Sequence, residues 1–250
     1  MAKKKTPNPI IKQHAEDHIV RFDGHQRVMH VIMILTFVGL ALSGLPMKFS
    51  TLDISRWWIE FWGGFEMMRT VHHLAAYGMV GLTVYHLLYI GISTWVVGRP
   101  FPLRMLPCLK DLKDAGNDIK YFVGANKEGA KYDRFNWKDK FDYWAIFWGM
   151  PIMVLSGFAL LFPAIITETL SMPSWAVNVA YIAHTDEAIL AVCWIFIFHF
   201  FFNHMTPGIF PLNKVIFTGV TPKEEYIEEH PIEWERWVKD RVVKDDQPAS

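Results

Sequence analysis

HTDEAILAVCWIFIFHFFFNH, residues 184–204, is an apolar stretch long enough to cross a bilayer, and it carries three histidines. Histidine is costly on a helix that faces lipid, and it is a good ligand for a transition metal. His184 and His199 are 15 residues apart. On a helix of about 3.6 residues per turn they lie about 60° apart around the axis and roughly 22 Å apart along it. A hydrocarbon core is about 30 Å thick, so one histidine falls near each surface, on roughly one face. Such a helix could carry two metal centres stacked across a membrane. The plain alternative is that each histidine fills a polar gap or sits at an interface.

The rest of the chain supports a membrane setting. Apolar residues make up 52% of the 250, with 11 Trp and 19 Phe, and they fall into long runs free of Asp, Glu, Lys and Arg. The formal net charge is zero, so bulk charge points to no nucleic-acid partner. Cys108 and Cys193 form no motif, and there is no CxxCH, so no covalently attached haem is signalled. The basic, polar N-terminus lacks an apolar core, so no cleavable signal peptide is expected. No internal repeat stands out.

Four runs read as spanning helices: Val28 to Met47, ended by Pro46; Thr70 to Gly98, closed by Arg99-Pro100; Tyr143 to Pro163, kinked at Pro151; and Ala180 to Met205. The fold class is therefore all-α, an integral membrane four-helix bundle. It divides into an N-terminal segment (1–27), a transmembrane domain (28–205) with a polar loop (99–140), and a charged tail (206–250). Lys plus Arg number six in 1–27, three between the first two spans, ten in 99–140, none between the last two spans and six in the tail. Basic segments stay cytoplasmic, which places both termini and the 99–140 loop on that side of a bacterial inner (cytoplasmic) membrane.

Depth then sorts the histidines. His72 and His184 start helices that enter from outside, whereas His30, His86, His199 and His204 lie toward the cytoplasm. His72 and His86 lie about 40° apart around the helix, and His204 lies about 140° from His199. One outer site with two ligands and one inner site with a surplus fit bis-histidine haem b, because a zinc site would want three or four ligands at one depth. Gly39, Gly44, Gly78 and Gly81 would let a flat macrocycle approach the backbone, or serve ordinary close helix packing.

Several stretches together resemble the cytochrome b (gamma) subunit of membrane-bound formate dehydrogenases, within the group of four-helix di-haem cytochromes b that also serves nickel–iron hydrogenases. They are RVMHVIMILTFVGLALSG (27–44), RTVHHLAAYG (69–78), FNWKDKFDYWAIFWGMPIMVLSG (135–157), the fourth span and HPIEWERW (230–237). The resemblance implies that His72 pairs with His184 on an outer haem and His30 with His199 on an inner one. It also implies that Asn136, four residues ahead of Lys140, helps bind a quinone, menaquinone or ubiquinone. Asn136 also reads as a plain helix N-cap. Two departures stand out. His86 and His204 are extra, and the fourth-span spacing is 15 where the family leads one to expect 14. His86 could replace His30, bond a propionate or quinone, or share a third haem with His204.

The expected function is electron transfer between the quinone pool and a periplasmic multihaem cytochrome c or iron–sulfur subunit, within a multi-subunit respiratory oxidoreductase complex embedded in membrane lipid. A transporter or anchor that uses its histidines for protons or a transition metal is the rival reading.

Overall fold

The computed structural model describes residues 18–98, 103–205 and 209–245. The segment before His18 and the Arg99-Pro100 stop lie outside them. The elements are β1 (His18–Val20), α1 (Gly24–Lys48), α2 (Asp53–Phe61), α3 (Phe65–Trp95), α4 (Leu109–Phe122), α5 (Trp137–Leu161), α6 (Trp175–Trp194), α7 (Val215–Thr218), β2 (Val220–Pro222), α8 (Lys223–Glu229) and α9 (Pro231–Asp245). The helix begun by α6 continues through two π-helical turns, Ile195–His199 and Phe201–Met205.

Four helices are long and apolar enough to span: Gly24–Lys48, Phe65–Trp95, Trp137–Leu161 and Trp175–Met205. Their large side chains face outward, among them Leu35 (68% exposed), Leu74 (71%) and Trp148 (70%), while the buried positions include Ser43, Ser156, Thr185 and His204. That inversion suits a solvent of hydrocarbon, in which polar groups must be satisfied inside the bundle. Each span begins ahead of its uncharged run, because a helix accepts charged residues in the turns that lie beyond the hydrocarbon.

The first span does not stop at Pro46; it runs to Lys48. Proline removes the hydrogen bond to the carbonyl four residues back, here Leu42. The Trp58 indole Nε1–H donates to that carbonyl at 2.8 Å, so the helix continues without an orphaned acceptor. Trp58 lies on α2, a short helix between the first two spans. Ile54, Trp57 and Phe61 are exposed on α2 while Ser55 and Ile59 are buried, which suits a helix lying in a lipid interface.

The chain forms two compact units. Among the described residues, one holds the spanning helices except for the starts of the first and third, within 25–98, 145–205 and 209–213, and the other gathers 18–24, 103–144 and 214–245, which the sequence presents as three separate polar segments. Within it β1 and β2 pair antiparallel, with Ile19 opposite Thr221. Residues 99–140 are more than a loop, since α4 lies there, its start closed by a reciprocal cap between Cys108 and Asp111. Asp118 of α4 is buried and accepts from Tyr132 Oη, Trp137 Nε1 (2.7 Å) and Ala130 N (2.9 Å). These donors hold its carboxyl below the usual carboxylate range and push the Tyr132 phenol up, the latter chiefly by burial.

The HPIEWERW stretch supplies the second hub. Glu233 is 1% exposed and accepts from Tyr226 Oη and Arg104 (3.1 Å), with Arg134 at 3.7 Å. His230 donates from Nδ1 to the Asp133 carbonyl at 2.6 Å. Burial, then Arg21 among its neighbours, lowers the His230 pKa from 6.5 to about 4. Burial, then Glu225, raises that of Glu229 from 4.5 to about 7.

The two shifts act with opposite signs. A depressed histidine contributes fully above about pH 6.5 and loses its contribution as pH falls toward 4; a raised carboxyl contributes fully below about pH 4.5 and loses it as pH rises through 7. Glu229→Gln should therefore make residues 226–233 less protected on acidification from pH 6.5 to 4. His230→Asn, which keeps an N–H donor, should make them less protected from pH 4.5 to 7. Amide hydrogen exchange corrected for its intrinsic rate measures both slopes. Slopes of the same sign would contradict the assignment.

Candidate functional site

Two pairs of imidazoles meet among the spanning helices. The His72 and His184 rings have centroids 6.2 Å apart with planes at 68°. Those of His30 and His199 are 6.4 Å apart at 28°. A metal–imidazole bond is about 2 Å and the nitrogen sits about 1.2 Å from the ring centre, so two imidazoles on one ion have centroids about 6.3 Å apart. Ordinary ring packing covers about 4.5–7 Å, so the direction of the nitrogens has to decide between the two.

At the first pair the hydrogen bonds show which nitrogen of each ring carries the proton. Ser43 Oγ lies 2.6 Å from the Gly39 carbonyl, to which it donates, and 3.0 Å from His72 Nδ1. A hydroxyl has one proton; with that proton on the carbonyl, its oxygen accepts, so His72 Nδ1 carries hydrogen. On the third span Ser156 Oγ donates to the Ile152 carbonyl (2.5 Å) and lies 3.0 Å from His184 Nδ1. Each imidazole is thereby fixed in the form that keeps the lone pair on Nε2, the atom a metal would take.

The next residue on each span is glycine for a steric reason. A Cβ at Gly44 would sit 3.0 Å from His72 Cε1, and one at Gly157 would sit 3.2 Å from His184 Cε1. Leu42-Ser43-Gly44 and Leu155-Ser156-Gly157 are thus one device used twice, each gripping a histidine of the following span, 29 and 28 residues beyond the serine. The repeat escapes a reading by length because it consists of a tripeptide and one distant histidine. Its signal was the recurrence of Leu-Ser-Gly near the ends of alternate spans. Of the other glycines, Gly39 meets Ala75 and Gly78 meets Thr36, which is helix packing, while a Cβ at Gly81 would meet nothing within 4 Å.

The second pair is built differently. His30 Nδ1 is buried and has no hydrogen-bond partner among the described residues. His199 Nδ1 lies 3.3 Å from the Asn203 amide nitrogen, which also donates to the His199 carbonyl at 2.9 Å. His199 closes a π-helical turn. A π turn takes up one residue more than an α turn. That accounts for the spacing of 15 in place of 14: the extra residue is absorbed and His199 still meets His30.

His204 lies in the second π turn, is buried against Phe200, and accepts at Nδ1 from the Asn213 N–H at 3.2 Å. Its proton is then on Nε2. The His86 ring lies 6.3 Å from that of Phe147. Asn136 and Asp139 form a reciprocal cap at the start of the third span, with Asp139 N donating to Asn136 Oδ1 (2.9 Å) and Asn136 N to Asp139 Oδ2 (3.0 Å). Lys140 is buried and donates to both carboxyl oxygens of Asp111, at 2.8 and 2.9 Å. Lys48 goes unsignalled in the sequence, whereas the HTDEA start of the fourth span already draws attention to Glu187. Lys48 donates to Thr185 Oγ1, next to His184, at 2.7 Å. The Glu187 carboxyl turns onto Gly149, where a Cβ would lie 2.8 Å from Oε1.

Among the described residues no three His, Cys, Asp or Glu side chains gather as a metal site would require. Two-nitrogen pairs suit an ion whose other positions belong to a macrocycle. Fold and site together define a multi-pass helical membrane protein with paired imidazoles that fit haem. A family model, prokaryotic cytochrome b561, matches residues 21–206, all four spans included, and the chain belongs to that family. It is therefore a membrane electron-transfer protein that binds haem b. No curated protein matches the chain.

Gly44→Ala should push the His72 ring aside and lower the haem retained on purification. Gly116→Ala, where a Cβ meets nothing within 4 Å, should leave it unchanged. Reduced-minus-oxidised spectra compare the two, and equal haem in both would show that the close approach at Gly44 is not needed.

Proposed function

We propose that this chain is the cytochrome b subunit of a bacterial respiratory complex. It carries electrons between the quinone pool and a periplasmic redox partner, a multihaem cytochrome c or an iron–sulfur subunit. The observation that carries this reading is the presence of two facing imidazole pairs along one bundle, His72–His184 and His30–His199. Haem b held at each pair supplies a one-electron carrier. With two protein nitrogens per iron, neither iron keeps an open position, which suits electron transfer rather than oxygen chemistry. The two pairs account for two haems, and His86 and His204 remain for supporting roles.

The distribution of Lys and Arg supports an inner-membrane orientation with both termini and residues 99–140 cytoplasmic. A quinone, menaquinone or ubiquinone, would bind at that end. Asn136 spends Oδ1 and its backbone N–H on the cap, which leaves the amide NH2 as the donor to offer a quinone carbonyl. Lys140, held on Asp111, fixes the start of the third span beneath it. The transporter or anchor reading explains neither the family match nor the tautomers set by the two serines.

A pyridine haemochrome assay should count two haems per chain, and His72→Ala or His184→Ala should remove one and spare the other. Full haem content in both variants would end the ligand assignment.

Asn136→Asp separates the cap from the quinone role. Asp caps about as well as Asn, but an ionised carboxylate offers no donor. The variant should keep its haem and expression level while quinol-dependent haem reduction slows at least several-fold. Unchanged quinol kinetics would leave Asn136 as a cap alone.

A further inference from the structure

The two imidazole pairs are built with different hydrogen-bond partners, and that difference has an energetic consequence. Ser43 and Ser156 each present an oxygen whose own proton is already given to a backbone carbonyl, Gly39 at 2.6 Å and Ile152 at 2.5 Å. Each oxygen therefore accepts from its histidine's Nδ1–H. Both serines are buried, at 1% and 6% exposed, so no solvent competes for these bonds. Accepting a proton's share from Nδ1 makes the imidazole a stronger electron donor through Nε2, and hydrogen bonding behind a ligand is one of the levers that set a haem's potential. A more basic ligand favours the ferric over the ferrous ion. His30, in the other pair, has a buried Nδ1 with no acceptor among the described residues, and the group beside His199 Nδ1 is an amide nitrogen at 3.3 Å.

We propose that Ser43 and Ser156 are positioning residues that hold the His72–His184 haem at a lower reduction potential than the His30–His199 haem. This proposal rests on the two-haem reading above. The serines touch the imidazoles, and their effect runs through them. Two such serines, one behind each ligand of a single iron, act in the same direction, whereas the second pair has neither. Electrons then favour the His30–His199 end, so the potential difference lies along the bundle and gives it a preferred direction of flow. In the orientation proposed above, that direction runs from the periplasmic partner toward the quinone.

Redox titration of the purified full-length protein tests this. The wild type should titrate as two one-electron steps. The two ferric sites can be told apart by electron paramagnetic resonance, because their imidazole planes differ, 68° against 28°. The near-perpendicular site should be the lower-potential one. Ser43→Ala and Ser156→Ala should each raise the potential of that site by about a tenfold change in its ferrous/ferric equilibrium, about 59 mV for one electron. The other site serves as the internal reference and should not move. Ser43→Thr and Ser156→Thr keep the hydroxyl and should restore the wild-type value wherever haem content is intact. Where one alanine variant loses that haem, the other alanine variant gives the reading, and an unmoved potential there would overturn the proposal. Two haems with unmoved potentials in both alanine variants, or equal shifts at both sites, would overturn it. A wild-type protein that binds no haem would instead overturn the two-haem reading on which it rests.

Discussion

A histidine inside a bilayer has two ring nitrogens and no water to satisfy either, and the arrangement of this bundle follows from that constraint. One nitrogen of His72 and one of His184 are met by serine hydroxyls of neighbouring spans, at 3.0 Å in both cases. The serines can accept because their protons are already committed to the carbonyls of their own helices. Such back-bonding keeps a hydroxyl tolerable in an apolar helix, and it also turns the oxygen into an oriented acceptor. The other nitrogen of each ring keeps its lone pair, which iron would take in the two-haem reading proposed above. Solving the solvation problem on one side of the ring thus prepares the ligand on the other.

Close approach is the second half of the same solution. The hydroxyl reaches the imidazole because the next residue, Gly44 or Gly157, has no Cβ to hold the ring away. The device appears once in each half of the bundle, on the first span for a histidine of the second and on the third span for a histidine of the fourth. The other pair does not repeat it. There the fourth span changes to π-helical turns, the first ending on His199 and the second containing His204. Members of the prokaryotic cytochrome b561 family are electron carriers, and in the two-haem reading proposed above the unlike surroundings would give electrons a preferred end.

The polar parts of the chain obey the rule that applies in water. A buried Asp118 and a buried Glu233 are each surrounded by donors supplied from several segments. Breaking a buried charge's partnership costs several kcal/mol, on the order of 3–5. The HPIEWERW stretch therefore clamps segments that lie far apart in sequence, and that clamp accounts for its composition without any ligand.

The sequence by itself determined the four spans, their all-α character and which histidines lie within them, because hydrocarbon thickness and helical period act on local composition. Residue spacing also singled out Asn136 as a cap, which the structure bears out. Several other features were decided only by tertiary structure. Pro46 reads as a helix stop until Trp58, twelve residues on, is seen to satisfy the carbonyl that it frees. His204 lies about 140° from His199 only on an ideal α-helix, and the π turns remove that premise. Ser43 and Ser156 look like ordinary small residues until a second helix brings an imidazole within 3.0 Å. Lys140 could be placed at the start of a span, but its bond to Asp111 depended on how a distant helix docks. In each case the deciding partner is remote in the chain, and periodicity carries no information about remote partners.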